Sequence, residues 1–477
     1  MMTQPPIIIW FRRDLRLSDL PMLAAAHETG RPIIPVFICD EEVAALGAAA
    51  RWRLGLSIEI FSQSLLSMNS RLILRKGNSF DEIKKLIVET GAESVHWSRS
   101  YVPATQERDR LIKSGLKALG HSATSYEGHV LFEPWTVSTK EGGFYRVYTP
   151  FWRSVAQRAV PEPVPAPKAL CAPAQWPQSD RLDDWALGGE MCCGAAVVRP
   201  YQAVGEAAAI GRLNRFLGGP IGPYKEARDF PEFDATSRLS ENLTYGEVSP
   251  RMVWHAGQAA LRSGFAGAEH FLKELVWREF AYHLCHHTPH ILHRNWRAEW
   301  DAFPWRGDNE DAEKWRRGMT GEPFVDAAMR EMYVTGTMHN RGRMIVASYL
   351  TKHLMTDWRV GLAWFAQCLT DWDPAANAMG WQWAAGSGPD ASPYFRIFNP
   401  QGQAERFDQN KAYRHRFIAE LSARPSAEAA AYFDAVPKKW QLDIATPYPD
   451  RLIDLAQGRE RALAAYANRV TAPKALF

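Results

Sequence analysis

Short, wholly apolar runs spaced for crossover connections fill the first quarter of the chain, and they dictate a layered fold. Ile7 to Phe11 (IIIWF) and Ile33 to Cys39 (IIPVFIC) are too short for buried helices and rich in β-branched residues. Arg71 to Leu74 and Ser94 to Trp97 read as further strands. Helical periodicity lies between them, opening near Ser18 and running over Ala48 to Met68, Phe80 to Thr90 and Thr105 to Leu119. Strands alternating with helices predict a doubly wound, largely parallel sheet whose ligands sit at the strands' carboxyl ends. No G-x-G-x-x-G follows the first strand, so the dinucleotide fingerprint is absent. Taken alone, this part says only nucleotide-binding-like α/β domain.

Beyond residue 200 the strand pattern stops. Helices are expected over Ala203 to Leu217, Pro250 to Ser263, Glu269 to His286, Pro323 to Thr335, Asn340 to His353 and Asp357 to Thr370. Between the two halves, PEPVPAPKALCAPAQWP holds too much proline for a helix or a central strand and reads as a wrapping connection. The expected organisation is an α/β domain over residues 1–132, a connection over 133–200 and an all-helical domain over 201–477. With 477 residues, 46% of them hydrophobic, two substantial cores are affordable. No run approaches the roughly 20 apolar residues of a membrane span, and the N-terminus lacks a signal-peptide layout, so a cytoplasmic location is the expectation. The six cysteines show no C-x-x-C spacing and read as free thiols. A net charge of +3 means that any nucleic acid must be met by a local patch. Nineteen tryptophans suit cofactors, bases and electron transfer as well as cores.

The densest chemistry lies from Leu369 to Pro400, LTDWDPAANAMGWQWAAGSGPDASPYFRIFNP. Asp373 followed by Pro374 is a helix start: the carboxylate can cap free amides, and proline fits the first helical position. Asn377 and Trp381, four apart, share a face. Trp381 and Trp383 stand ~200° apart and serve different surfaces. Gly386 to Pro389 stop the helix, and a loop with Tyr394, Phe395, Arg396 and Phe398 follows. Asp371 and Asp373 would be costly inside unless Arg343 or a bound group answers them. Upstream, FLKELVWREFAYH places Glu274, Trp277 and Arg278 on one helical face, and MHNRGRM does the same for Asn340, Arg343 and Met344.

With W-Q-W and Y-F-R-I-F-N-P in order, and WFRRDLRLSD near the N-terminus, the chain resembles the photolyase/cryptochrome family of flavoproteins from Ile7 to about Tyr466. The resemblance is closest to the bacterial cyclobutane pyrimidine dimer photolyases, of the class III or class I kind. It implies a Rossmann-like antenna-binding domain and a helical domain that binds FAD and the DNA lesion. FAD would be held by Tyr224 and Arg228 of GPYKEARDF, by Thr236, Ser237, Leu239 and Ser240 of TSRLS, and by Arg278, Asn340, Arg343, Asp371, Asp373 and Asn377. Glu274 and Asn340 would hydrogen-bond the damaged bases, Trp277 and Trp383 would flank them, and Met344 would supply soft packing. Trp381, Trp358 and Trp305 match the family's three-tryptophan electron wire. For the flanking DNA phosphates the candidates are Arg341, Arg396, Arg406, Lys411, Arg414 and Arg416. Ala104 and Thr105 stand where some members carry the Asn-Glu pair that grips folate. The antenna implied is 5,10-methenyltetrahydrofolate, with 8-hydroxy-5-deazaflavin as the alternative.

The implied activity is light-driven repair of cis-syn cyclobutane pyrimidine dimers by an electron from excited reduced FAD, in a monomer that needs no protein partner. The alternatives are a cryptochrome-type blue-light receptor that signals through a partner, and repair of (6-4) photoproducts. The last needs a proton donor, and neither Asn340 nor Met344 is one.

Overall fold

In the computed structural model, which describes residues 4–390 and 395–468, five strands form one parallel sheet: β1 (Ile7–Phe11), β2 (Ile33–Cys39), β3 (Ile73–Lys76), β4 (Ser94–Ser98) and β5 (Ser122–Tyr126), in the order β3-β2-β1-β4-β5. Helices α1 (Pro21–Glu28), α2 (Ala48–Leu66), α3 (Ser79–Thr90) and α4 (Pro103–Ala118) cover its faces. Successive strand residues point to opposite sides. Ile7, Ile9 and Phe11 therefore pack with Met22, Leu54 and Phe61 of α1 and α2, whereas Ile8 and Trp10 pack with Ile83, Leu86 and Ile112 of α3 and α4.

Two strands differ from expectation. The third begins at Ile73 and runs to Lys76, because pairing starts at Val36↔Ile73 and Arg71 lies outside the ladder, over the Trp176 ring. β5 (SATSY) gave no apolar run. It is a polar edge strand, held by its ladder to β4 and burying little but Ala123.

The stretch expected as a connection is not bare. It contains α5 (Tyr148–Val155), which buries Phe151 and Val155 in the helical core. The proline-rich part does wrap the sheet domain: Asp19 N–H donates to Val164 O at 2.6 Å, and Ile33 N–H to Cys171 O at 2.9 Å. The helical half is built from α6 (Glu206–Leu217), α7 (Pro250–Arg262), α8 (Ala268–His287), α9 (Pro323–Thr335), α10 (Asn340–Ser348), α11 (Trp358–Cys368), α12 (Pro374–Ala385) and shorter turns. α6 starts three residues later than expected, after Gly205 at φ 90°. Residues 349–353 are a π-turn rather than a continuation of α10.

Buried ion pairs join the halves. Arg53 of α2 meets Glu247 at 2.8 Å with both side chains fully buried, and Ser57 and Asn242 satisfy the same carboxylate. Arg16 donates to the carbonyls of Ser18, Asp19, Gly128 and Gly246. Among the described residues no helix is long and apolar enough to cross a membrane, and no cluster of His, Cys, Asp or Glu could hold a metal.

Candidate functional site

α12 is built as its sequence requires. Asp373 caps it, accepting from Ala376 N–H at 2.8 Å, Pro374 takes the first turn, and Gly386 at φ 93° closes it in the left-handed conformation. Both nearby carboxylates are buried and answered. Asp371 takes a forked pair of bonds from Arg343 at 2.8 and 3.0 Å, and Asp373 accepts from the Tyr282 hydroxyl at 2.6 Å. Asn377 donates its amide N–H to Asp373 O at 2.9 Å, which leaves its own oxygen to accept from a ligand. Three residues on, Gly380 is exposed although its helix is largely buried, and a Cβ there would meet nothing within 4 Å. That open space borders α12 on the side of Asn377.

α8 and α10 both pack against α12. On α8 the expected face splits. Glu274 is ion-paired with Arg228, while Arg278 turns away and donates to His129 O at 2.7 Å and to the His129 ring. Helical spacing could not show this, because both partners come from outside α8. Trp277 is half-buried and lies flat on Tyr148, ring centroids 3.7 Å apart. On α10, Asn340 is exposed and its amide reaches Met344 Sδ at 3.9 Å, so these two do share a face, while Arg343 leaves it for Asp371. His339 caps α10, its Nδ1 accepting from Arg341 N–H at 3.1 Å, and burial pushes its pKa down to about 4.

The remaining expected residues form a rim. Tyr224 is buried and carries Arg228 over its ring at 5.5 Å. Thr236 and Ser237 are half-buried, Leu239 is buried, and Ser240, itself exposed, opens a short and otherwise largely buried turn of helix. Trp381 is buried and meets Phe365 and Trp315 edge-on at 5.0 and 6.1 Å. Trp358, fully buried, donates to Asn295 at 2.9 Å, and Trp305 stacks on Trp300 at 5.6 Å. The three belong to one apolar mass but lean on different partners. Trp383 lies 6.3 Å from the Phe398 ring, with the Arg396 guanidinium 6.0 Å away. Tyr394 falls outside the described residues.

The expected cationic track is thinner than its arginine count. Arg341 pairs with Asp229 at 2.7 Å, Arg414 with Asp408 at 2.7 Å and Arg416 with Glu428 at 2.8 Å, so each is answered internally. Arg406 lies over Phe407 at 4.9 Å, and Lys411 is exposed. Sequence reasoning missed Tyr282, Tyr148, Asp229 and Arg13, whose guanidinium reaches Trp372 O at 3.3 Å. Only Tyr282 had a signal, standing four residues after Arg278, which lies over its ring at 5.0 Å.

Two helices, α8 and α10, packed on a third that carries buried, answered carboxylates and an amide oxygen left to accept, in a chain that opens with a parallel-sheet domain, make a site for a bound cofactor. Residues 7–168 match the family described as DNA photolyase, and residues 271–468 match the FAD binding domain of DNA photolyase. The chain belongs to the DNA photolyase family. It is 45% identical to the deoxyribodipyrimidine photo-lyase of Agrobacterium fabrum over 97% of this chain and 98% of that one. Among solved structures, a bacterial class III photolyase from Agrobacterium tumefaciens superposes with a TM-score of 0.91 at 45% identity, covering 98% of each chain. A Synechocystis cryptochrome superposes at 0.85 with 27% identity, covering 98% of this chain and 100% of that one.

The residues present fit FAD on this chain's own geometry. No atom lies within 4 Å of where a Cβ on Gly380 would stand, so α12 is uncovered there, and Arg343 with Asp371 offers a planar polar edge. Asn377 retains an acceptor, and the hydroxyls of Thr236, Ser237 and Ser240 are not buried away from a phosphate.

Proposed function

We propose that this protein reverses cyclobutane pyrimidine dimers in DNA, with the dimer flipped into the cavity between α8, α10 and α12. What supports this reading is the family match together with α8 and α10 packed on α12: Glu274 and Asn340 would supply the hydrogen-bonding ends of a lesion pocket and Trp277, Trp383 and Met344 its soft or aromatic sides. Bound there, reduced FAD supplies one electron in the excited state and takes it back. The chain does the rest. Arg343 and Asp371 would hold the flavin's ring edge, Asp373 is held ready by Tyr282, and Asn377 would offer its free amide oxygen as an acceptor. The amide cannot donate an acidic proton as an aspartic acid would, so the fully reduced anion is favoured. Glu274 and Asn340 hold the base edges, and the indoles exclude water around a lesion that needs only an electron and orientation. Opening the duplex is required first; photolyases are among the standard examples of base flipping.

Repair of (6-4) lesions is disfavoured by His339. It is the histidine beside Asn340, it is held neutral by burial, and its Nδ1 is spent on the helix cap. The photoreceptor reading draws on the structural likeness to a cryptochrome alone. We infer folate as the antenna at the strands' carboxyl ends, deazaflavin being the alternative, and a monomer working in the cytoplasm on nucleoid DNA. An absorption spectrum of purified protein, followed by illumination of the reduced form with dimer-containing DNA, tests the reading. Flavin bands and light-dependent loss of dimers are expected. Repair of (6-4) lesions, or no repair of either lesion, would overturn it.

A further inference from the structure

Lys352 is a buried amine without a carboxylate. It lies in the π-turn Tyr349–His353 that follows α10, is 1% exposed, and among the described residues makes no ion pair. Its Nζ donates to the carbonyl of Ala385, the last residue of α12, at 2.7 Å. The same nitrogen stands 3.4 Å from the centroid of the Phe395 ring and 5.7 Å from that of Trp300. Gly386, left-handed at the end of α12, lets the chain turn there: a Cβ would lie 3.0 Å from the Trp300 ring and 3.4 Å from Nζ.

The neighbours of Lys352 grip the same loop. Ser348 Oγ accepts from Phe398 N–H at 3.1 Å, and His353 Nε2 donates to Phe398 O at 3.1 Å. The extra residue of a π-turn changes which way successive side chains point, and such turns often mark functional sites. Here it directs Lys352 at the end of α12 and at Phe395, and His353 at Phe398, beside Ser348 at the close of α10. Burial drives the Lys352 amine well below the ordinary lysine range. Methionine would fill the same volume without that penalty. What lysine adds is a donor for the electronegative end of α12, set at the same time against an aromatic face. Both lead to Trp383, two residues before Ala385, which has Phe398 and Arg396 beside it.

We propose that Lys352 is a positioning residue of the lesion pocket: by tying the carbonyl end of α12 to Phe395 it sets loop 395–398 against Trp383 and so raises affinity for a flipped dimer, touching neither flavin nor lesion. This rests on the repair reading above. The test is Lys352→Met, measured four ways: flavin content, dark affinity for dimer-containing DNA, dark affinity for undamaged DNA, and dimers split per photon in the preformed complex. Flavin content, undamaged-DNA affinity and yield per photon should be unchanged while affinity for dimer DNA falls about tenfold, the size of one lost buried hydrogen bond. Phe395→Leu should reproduce the loss, and the double variant should lose no more than either single. Wild-type dimer affinity in Lys352→Met, an equal loss for undamaged DNA, or additive losses would overturn the proposal. If Lys352→Met retains no flavin, Phe395→Leu decides, and wild-type affinity there overturns it. Wild-type protein that neither binds nor repairs dimers defeats the repair reading instead.

Discussion

Gly361 shows how much one missing atom can carry. It stands on α11 against the six-membered ring of Trp381, so tightly that any Cβ would overlap the indole. Gly361→Ala should cost about 1–3 kcal/mol by overpacking, read as a lower urea midpoint, and should displace the ring. Trp381→Phe asks a separate question of the same position. Photoreduction of oxidised flavin should be lost while repair by chemically reduced protein stays nearly intact; unchanged photoreduction would send the electrons by another route. At this scale much was legible. The Asp373 cap and the Arg343–Asp371 pair follow from residue type, spacing and the cost of burying a carboxylate. The partners of Arg278 and Glu274 do not, since His129 and Arg228 reach α8 from distant stretches.

Among elements, α8 is tied to the segment before α5 through Glu279, which accepts from Leu131 and Phe132 N–H at 2.6 and 3.2 Å. Burial, opposed by Arg278, pushes its carboxyl up to about 7. A carboxyl raised on folding gives stability that is complete below its unfolded pKa, near 4.5, and is lost as pH rises through about 7. Melting measured from pH 4.5 to pH 8 should therefore show wild type declining relative to Glu279→Gln, by on the order of 1–3 kcal/mol. Parallel curves would mean that Glu279 stays ionised throughout. The exit loop makes a second prediction at this scale. Arg396 lies over the Trp383 and Phe398 rings at 6.0 and 5.9 Å, and Arg396→Ala should lower the slope of log affinity against log salt by about one. An unchanged slope would place the phosphate track elsewhere. Helices announced themselves by period and caps. β5 did not, because an edge strand held by backbone pairing needs no apolar residues, and neither did the π-turn, whose extra residue leaves no mark in the apolar pattern.

Across the whole molecule, buried charges join the two halves as well as apolar packing, in which Tyr245 enters the sheet domain's core. Arg53 and Glu247 are both fully buried, and both carboxylate oxygens are answered, while Arg53 donates through its two terminal nitrogens and leaves Nε without a partner among the described residues. Glu247→Ala would strand a buried guanidinium and should cost about 3–5 kcal/mol, seen as a large drop in urea midpoint and as loss of a single transition shared by the sheet and helical probes. Retention of one unchanged transition would mean that the halves are joined mainly by packing. That a sheet domain precedes a helical one was plain from the change of period near residue 200. That they share buried ions was not, for nothing in the local sequence pairs an arginine at 53 with a glutamate at 247. Arg16 carries this furthest, because one side chain in the first loop satisfies carbonyls at 18, 19, 128 and 246. For inheritance, this makes the gene hard to shuffle. A crossover between two relatives near codon 130 or codon 200 would pair an arginine from one parent with carbonyl positions shaped by the other. Viable recombinants should therefore be those whose exchanged segments carry all of its partners together.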